Sequence, residues 1–382
     1  MTAPTSSSAT PQEINAQARD YVLATAERMN QDLGTQNAQL PVANPVSLAN
    51  VPTLRQKLFN VGIITSIDII VTMVVNITAA AKLSTRAPWN VFSAIRTKDY
   101  SGDARVNAGG FQVWTNKTVR TRFPHNLTFG LNAPYPDGGQ VYPLIAAPTG
   151  VGNNQVFSYR QRIPVAYDPE SDLTGAILAQ NNTGELFLEA DVNPTIFGTD
   201  EEGVYSSGAG TINSLSVRIV QNYLAPAGTG NAMVLPLIDL NTVYELNGTL
   251  QTNSDLATGQ KKLINIPNYR TVLSMTLEYV NGGAMNPGTD VTQFDWFVGG
   301  KIPLRTYTPN DLAAIVREHL GFDLPPAVYY LSTRFKPIDT SLYGNVQIGM
   351  TPSNVSAAQP TYVRPLIESF YPKGAVLTGL MA

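Results

Sequence analysis

The clearest pattern of hydrophobic and polar positions in the chain lies in residues 61–81. Every second residue from Ile67 to Ile77 is apolar, and the residues between them include Asp68 and Asn76. This period of two predicts a long β-strand with one fully apolar face. A membrane-spanning helix of the same length is disfavoured, because a carboxylate and an amide would then lie within the bilayer.

The same alternation returns in the second half of the chain, at residues 273–280, and ends at Asn281-Gly282-Gly283, which predicts a turn. Shorter runs of β-forming residues elsewhere are separated by loops rich in Gly and Pro. They predict strands at 111–119, 185–190, 215–223, 327–331 and 345–350. Regular short strands separated by turns are typical of all-β folds such as sandwiches.

Residues 12–33 show a different spacing, of three and four residues, which predicts one long amphipathic helix. Its narrow apolar stripe includes Ile14, Ala18, Tyr21, Val22 and Met29. Gly34 stands where such a helix typically ends. The stripe either packs against the rest of the chain or contacts a membrane or a neighbouring subunit. A proline-containing, irregular linker is predicted to follow at 35–52.

A short passage of the chain occurs twice, 139 residues apart. Residues 162–165 read Arg-Ile-Pro-Val, and residues 301–304 read Lys-Ile-Pro-Leu. Further along each copy, Asp172-Leu173 and Asp311-Leu312 begin a short stretch that we expect to be helical. Asp172 and Asp311 are therefore predicted to be helix N-caps. The repetition predicts two related all-β domains in tandem.

Composition supports the β-rich prediction and narrows the chemistry. Charged residues make up only 14% of the chain, and 30 Gly and 27 Pro supply many turns. The chain has no cysteine, which excludes disulfides, thiolate catalysis and cysteine-ligated metals. A net charge of -3 argues against a surface that binds nucleic acid. Residues 1–10 lack the basic start and apolar run of a secretion signal, so we expect synthesis in a cytoplasm.

Candidate catalytic and metal-binding residues are few. Neither of the two histidines, His125 and His319, belongs to a known catalytic motif. The acids at 168, 170 and 172 lack the glycine that an EF-hand calcium loop needs, since Leu173 stands in its place. The acidic run at 200–202 is predicted to be a solvated loop, because like charges repel. We therefore expect no enzyme activity, no cofactor and no metal.

Several segments of the chain together resemble one family. They are 172–179 (Asp-Leu-Thr-Gly-Ala-Ile-Leu-Ala), 234–244 (Val-Leu-Pro-Leu-Ile-Asp-Leu-Asn-Thr-Val-Tyr), 327–330 (Ala-Val-Tyr-Tyr), 336–338 (Lys-Pro-Ile) and 342–346 (Leu-Tyr-Gly-Asn-Val). In order and spacing they resemble the major capsid protein of tectiviruses, bacteriophages that contain an internal membrane. None of these motifs is catalytic, so the resemblance lies in their joint order.

The resemblance implies an all-β fold of two tandem eight-stranded jelly rolls, a double jelly-roll, with short flanking helices and the N-terminal amphipathic helix. It implies an arm at 1–44, a first roll at 45–239 and a second roll at 240–382. It also implies homotrimers, pseudo-hexagonal in outline, that tile the icosahedral shell of the virion capsid. Further implied partners are the internal viral membrane, through the N-terminal helix, and minor capsid and vertex proteins. No direct contact with nucleic acid is expected.

Two other functions stay open on the residues alone. A two-domain jelly-roll protein that binds or hydrolyses carbohydrate would need an acidic or aromatic cluster in one cleft, and usually a secretion signal. A phage receptor-binding spike would share the β-rich composition but would not need a tandem duplication. A stable monomer in solution would count against the self-assembling capsid protein.

Overall fold

Strands dominate the structure, a computed structural model. It describes residues 27–38, 53–121, 148–169, 172–179, 183–225, 239, 241–248, 255–286, 289–299, 302–321, 323–333, 336–343, 345–358 and 360–372. These residues divide into two halves, and each half contains eight principal strands, one additional two-residue strand and one α-helix.

The first half runs from β1 to β9, and a single turn of 3-10 helix, Trp89–Val91, precedes β4. Its elements are β1 (Glu27–Ala38), β2 (Thr53–Lys57), β3 (Ile63–Leu83), β4 (Phe92–Lys98), β5 (Ala104–Ala108), α1 (Gly110–Thr121), β6 (Gly152–Pro164), β7 (Ile177–Leu178), β8 (Phe187–Val192) and β9 (Tyr205–Ala225).

The second half runs from β10 to β18. Its elements are β10 (Thr242–Asn247), β11 (Lys262–Asn265), β12 (Thr271–Val280), β13 (Val291–Val298), β14 (Ile302–Tyr307), α2 (Pro309–Leu320), β15 (Val328–Ser332), β16 (Ile338–Asp339), β17 (Val346–Pro352) and β18 (Tyr362–Pro372). The predicted boundary at 239/240 stays a prediction, and the described strands on either side of it are β9 and β10.

The strands of the two halves pair in the same order once the two-residue strands β7 and β16 are set aside. In each half, one sheet joins the first, eighth, third and sixth strands, and the other joins the second, seventh, fourth and fifth. β7 and β16 each pair with the third strand of their own half. This is the strand order of a jelly roll. The predicted all-β fold of two tandem jelly rolls is therefore confirmed, and the halves are called the first roll and the second roll below.

The long predicted strand is confirmed as β3, the third strand of the first roll. Its odd-numbered residues from Ile67 to Ile77 are buried in the core, because one face of the strand packs against the facing sheet. Its predicted counterpart is confirmed as β12, the third strand of the second roll. The turn after β12 contains Gly282 and Gly283, both with positive φ, a conformation that glycine adopts at low cost.

The strand predicted at 111–119 is wrong, because these residues form α1. The prediction rested on valine and threonine, which favour strands. Nearly all of α1 is buried, so it lacks the one-sided apolar stripe by which a surface helix is recognised. Tertiary packing outweighs local preference here.

The predicted N-terminal helix is wrong over its last seven residues. Residues 27–33 belong to β1, which pairs antiparallel with β9. Met29 therefore lies in a strand, with its Cα opposite that of Tyr223, and Gly34 falls where the pairing slips by one residue, a common place for glycine. The first four residues of the predicted linker are also part of β1. Ile14, Ala18, Tyr21 and Val22 lie outside the described residues.

The helix predicted to begin at Asp172 is absent from the described residues of 172–179, which contain a turn and β7. Asp172 is therefore no N-cap. Its Oδ1 accepts hydrogen bonds from the N–H and the hydroxyl of Thr174 at 3.0 and 2.7 Å. Such local bonds hold a turn, and they compete with helix formation.

The helix predicted near Asp311 is confirmed as α2, but Asp311 is not its N-cap. Thr308 is the N-cap, and its hydroxyl accepts from the N–H of Asp311 at 3.2 Å. The Asp311 carboxylate accepts in return from the N–H of Thr308 at 2.8 Å, which completes a capping box. The N-cap therefore lies three residues before the predicted one, and Pro309 is the first residue of the helix.

Candidate functional site: the junction between the two rolls

The two rolls share one sheet. The second–seventh–fourth–fifth sheet of the first roll continues into the first–eighth–third–sixth sheet of the second roll through β5 and β10, which run parallel. Val106 lies opposite Leu246 and Asn107 opposite Asn247, and the N–H of Gly248 donates to the Asn107 carbonyl at 2.8 Å. The result is a nine-stranded sheet that runs from one roll into the other.

A loop of the first roll approaches β10 closely at Gly175. The φ of this residue is 85°, and a Cβ atom added there would lie 2.4 Å from Cβ of Tyr244 and 2.7 Å from its backbone nitrogen. Both the backbone conformation and the contact require glycine. The carbonyl of Gly175 also accepts a hydrogen bond from the buried Arg105 at 2.9 Å.

Helix α1 lies against this junction and is buried on nearly every side. Between residues 110 and 120, only Lys117 and Arg120 are not fully buried. Trp114 stacks on Trp89, with 5.5 Å between ring centroids and an interplanar angle of 9°. On the side of the second roll, Gln112 donates to the carbonyl of Pro365 at 3.3 Å. The helix therefore contacts both rolls.

The first of two buried ionic clusters centres on Arg86, which belongs to the first roll and is 2% exposed. Its guanidinium donates to Oε2 of Glu278 at 2.6 Å, to Oε1 of Glu202 at 3.1 Å and to the Tyr362 hydroxyl at 3.0 Å. Arg364 donates to Oε2 of Glu202 at 3.2 Å. Glu278, Tyr362 and Arg364 belong to the second roll, so the cluster joins the two rolls.

The two arginines of this cluster are perturbed in opposite directions. Burial alone would lower the pKa of Arg86, but the carboxylates of Glu278 and Glu202 outweigh burial and hold the pKa above its ordinary value. The pKa of Arg364 is lowered, first by burial and then by the nearby charge of Arg86. Both guanidinium groups stay charged near neutral pH, because arginine titrates far above it.

A cavity of about 310 Å³ lies beside this cluster and is lined by residues of both rolls. Four buried atoms of its lining residues have no hydrogen-bond partner in the described part of the chain: Nε of Arg86, Nε of Arg364, Oδ1 of Asn90 and Oε1 of Glu278. Two of these atoms are donors and two are acceptors. A polar cavity of this size admits water, which can satisfy both kinds.

The second buried cluster centres on Glu368, a fully buried residue of β18. Its carboxylate accepts hydrogen bonds from the Tyr244 hydroxyl at 3.1 Å and the Ser274 hydroxyl at 2.5 Å, and Nε of Arg120 lies 3.3 Å from it. The Arg120 guanidinium lies over the rings of Tyr167 and Tyr244, 4.4 and 5.1 Å from their centroids. Arg120 comes from α1 and Glu368 from the second roll.

The two clusters and the shared sheet hold the rolls in one relative orientation. A buried ion pair contributes little net stability when it is intact, but separating its partners leaves a buried charge without compensation. Rotation of one roll against the other would break hydrogen bonds in both clusters and in the β5–β10 ladder. The junction therefore makes the two rolls one block, in which their relative orientation is fixed.

Sequence reasoning did not identify the junction. Glu278 is one of the polar positions of the strand predicted at 273–280, and no prediction covers Glu368, whereas β12 and β18 are buried along most of their length on both faces. The acidic run at 200–202, predicted to be solvated, is half-buried, and Glu202 bridges Arg86 and Arg364. The partners lie far apart in the chain, so no local pattern joins them.

The structure also bears on the predicted contacts and ligands. The predicted membrane or neighbour contacts at Ile14, Ala18, Tyr21, Val22 and Met29 stay predictions. None of the helices that the structure describes is both long and apolar enough to span a membrane. Within the described ranges, no three His, Asp or Glu side chains come together as a metal site would require.

Two family models match nearly the whole chain. The N-terminal model of the P3 major capsid protein matches residues 4–225, and the C-terminal model of the same protein matches residues 241–376. The major capsid protein P3 of Enterobacteria phage PRD1 is 29% identical to the chain over 358 residues, which cover 90% of this chain and 87% of that protein.

Solved structures of viruses share the fold. A chain in the atomic structure of Sulfolobus Turreted Icosahedral Virus matches with a TM-score of 0.62 and 12% identity, over 91% of each chain. A chain in the quasi-atomic model of the PBCV-1 virus capsid matches with a TM-score of 0.52 and 8% identity, over 91% of this chain and 93% of that one. At these identities the likeness concerns the fold alone.

The family matches decide between the functions that the residues left open. They confirm the capsid hypothesis over the carbohydrate-binding protein and the receptor-binding spike, and they confirm a structural role in the virion capsid instead of catalysis. The chain belongs to the P3 major capsid protein family.

Proposed function

We propose that three copies of this major capsid protein associate into a pseudo-hexagonal block, and that these blocks tile the icosahedral shell of a membrane-containing double-stranded DNA bacteriophage. The junction carries the proposal. Two rolls of equal topology, held side by side in one orientation, present two similar units per chain, so a ring of three chains presents six. A shell built from such blocks needs each block to be rigid, and the buried clusters supply that rigidity.

The mass of the particle in solution tests this proposal. Multi-angle light scattering of the purified full chain should give close to three times the chain mass of 41.2 kDa. A monomer of 41.2 kDa at micromolar concentration contradicts the proposal.

We also propose that the segment before β1 contacts the internal viral membrane. The supporting observation is the apolar stripe of Ile14, Ala18, Tyr21 and Val22, which precedes β1 in the chain. Met29, the fifth residue of the predicted stripe, lies in β1, and its contact with the membrane or a neighbour stays a prediction. In a flotation assay with phospholipid vesicles, the full chain should float with the vesicles, and a variant with Ile14→Asp and Tyr21→Asp should remain in the dense fraction. Equal flotation of the two chains contradicts this contact.

Other partners follow from the same role. A shell of this kind also needs minor capsid proteins and vertex proteins where the lattice closes, and its chains are synthesised and assembled in the cytoplasm of the host bacterium. Co-purification of these proteins with the assembled shell, and not with the dissociated trimer, tests this part of the proposal.

A further inference from the structure

The two rolls can be matched residue by residue around their fifth strands by the way these strands pair. Thr97 pairs with Val106 in the first roll, and Trp296 pairs with Arg305 in the second. Both pairings then slip by one residue, and the helix begins four residues after Val106 in one roll and four residues after Arg305 in the other. Val106 and Arg305 therefore hold equivalent positions, 199 residues apart, and so do Asn107 and Thr306.

The third strands supply a second reference point. The pairing of the third strand with the eighth slips between Ile64 and Ser66 in the first roll, and between Val272 and Ser274 in the second. Such an irregularity marks a fixed point in a ladder. Ser66 and Ser274 are therefore equivalent.

The first strands can be matched from there. The residues opposite the two serines in the eighth strands are Asn222 and Glu368. The residues opposite these two in the first strands are Asn30 and Leu246. Asn30 of β1 is thus equivalent to Leu246 of β10. The next residues of the two strands, Gln31 and Asn247, are equivalent as well.

Each junction strand has an equivalent whose outer edge pairs with no other described strand. At the junction, the fifth strand of the first roll, β5, pairs with the first strand of the second roll, β10. The equivalents are β14 and β1. Within the described residues, β14 pairs only with β13, and β1 only with β9. Residues 303–306 of β14 are all exposed. An open strand edge of this kind is a template for pairing with another chain.

The sheets themselves repeat this relation. The nine-stranded sheet consists of four strands of the first roll and five of the second. The strands that remain form a five-stranded sheet in the first roll and a four-stranded sheet in the second. If β14 of one chain met β1 of the next, these two sheets would join into a second nine-stranded sheet of the same composition.

Exposed apolar side chains accompany the open edge. Leu304 is 59% exposed and Ile315 is 41% exposed. Their equivalents in the first roll, Arg105 and Asn116, are 3% and 0% exposed. Two positions that are buried in the first roll are thus apolar and exposed in the second, as expected of a surface that a partner covers.

We propose that β14 of one copy pairs in parallel with β1 of a neighbouring copy, with Arg305 opposite Asn30 and Thr306 opposite Gln31. The junction within the chain is then repeated between chains, and every fifth strand meets a first strand around the ring. This interface rests on the proposed trimer and names the surface and the register by which it closes.

Disulfide cross-linking tests the register, since the chain contains no cysteine. Residues opposite each other in neighbouring strands lie about 5 Å apart, within the range that a disulfide spans. The full chain carrying both Asn30→Cys and Arg305→Cys should, on mild oxidation, convert from one band of 41.2 kDa to linked dimers and trimers on a non-reducing gel. Reducing agent should restore the single band.

A matched control moves one cysteine to the opposite edge of the same five-stranded sheet. The pair Val156→Cys and Arg305→Cys places the first cysteine on β6, where Val156 is 58% exposed. This variant should remain a single band. The pair Gln31→Cys and Thr306→Cys serves as a second reporter of the same register, in case the first pair impairs folding.

Light scattering before oxidation separates the possible failures. A trimer in which neither reporter pair links overturns the proposed interface and leaves the trimer standing. A trimer in which the β6 control links as well as the reporters also overturns the interface, because the register is then not specific. A monomer of the unmodified chain overturns the trimer, and the interface with it.

Discussion

Helices α1 and α2 occupy the same place in their rolls, between the fifth and sixth strands, and each is 12 residues long. Their surroundings differ. α1 is buried nearly throughout, whereas α2 buries only Leu312, Val316 and Leu320. The second roll covers α1, and no described element covers the outer face of α2. The comparison shows that topology sets where a helix lies and that the neighbouring roll sets which residues it can carry.

Removing Trp114 should have the largest effect of the substitutions that test this comparison. Trp114→Ala in α1 should lower the free energy of unfolding by about 3–5 kcal/mol, because the side chain is buried and stacked on Trp89. Ile315→Ala in α2 is the control and should lower it by less than about 1 kcal/mol. Chemical denaturation of dissociated chains measures both. Similar losses would mean that the two helices are equally important to their rolls.

Breaking the ion pair of α1 should have the next largest effect. Arg120→Ala removes the cation that lies 3.3 Å from the buried carboxylate of Glu368 and should cost about 3 kcal/mol. The matched variant in α2 is Arg317→Ala, which removes an arginine that is 64% exposed from its pair with Asp323. It should cause no resolvable change in the denaturation midpoint. A loss at Arg317 as large as that at Arg120 would contradict the buried cluster as the cause.

Replacing Lys117 should raise the free energy of unfolding, whereas the two substitutions above lower it. It holds the position of Val316 in α2, and burial, then repulsion from Arg162, lower the pKa of Lys117 to about 8. The unfolded chain keeps its proton up to about pH 10.5, so stability should rise between pH 8 and 10.5. Lys117→Met should raise the free energy of unfolding at pH 7 by about 1–3 kcal/mol and remove that rise. Lys117→Arg, which retains a charge, should not stabilise the chain, and a stabilising arginine would contradict the explanation.

The smallest effect on the isolated chain is expected at the outer face of α2. Ile315→Asp should change the free energy of unfolding by no more than about 0.5 kcal/mol, because the side chain is exposed. It should nevertheless lower the yield of trimer in size-exclusion chromatography with light scattering. Tyr269→Asp, at another exposed hydrophobic residue, is the control and should leave the trimer intact. Unchanged trimer yield for Ile315→Asp would show that α2 does not lie at the interface between copies.

The long strands could be predicted where large apolar residues recur at every second position, as they do in β3 and β12. β3 shows this most clearly, because every second residue from Ile67 to Ile77 is apolar and the residues between them include Asp68 and Asn76. α1 could not be predicted by the same reasoning, since burial on all sides removes the pattern. β1 was missed for another reason. Its polar residues match a helix as well as an edge strand, and pairing with β9 decides the outcome.

The tandem duplication was predicted correctly but from the wrong residues. The similar passages at 162–165 and 301–304 are not equivalent, because the first ends the sixth strand of its roll and the second begins the fifth strand of its own. The segments that are equivalent, 104–121 and 303–320, share no identical residue. Topology is retained there while each side chain has adapted to its neighbours, and the sequence carries no trace of the relation.

The shared sheet has a consequence for how the chain melts. If either roll unfolded, its strand in the β5–β10 ladder would detach and expose a sheet edge of the other roll. The two halves are therefore not independent cooperative units. Heating should therefore give one calorimetric transition for the whole chain, and neither half should survive alone after cleavage between β9 and β10. If one roll were replaced by the corresponding roll of a related protein, the other roll would have to be replaced as well, so that the two strands of the ladder still match.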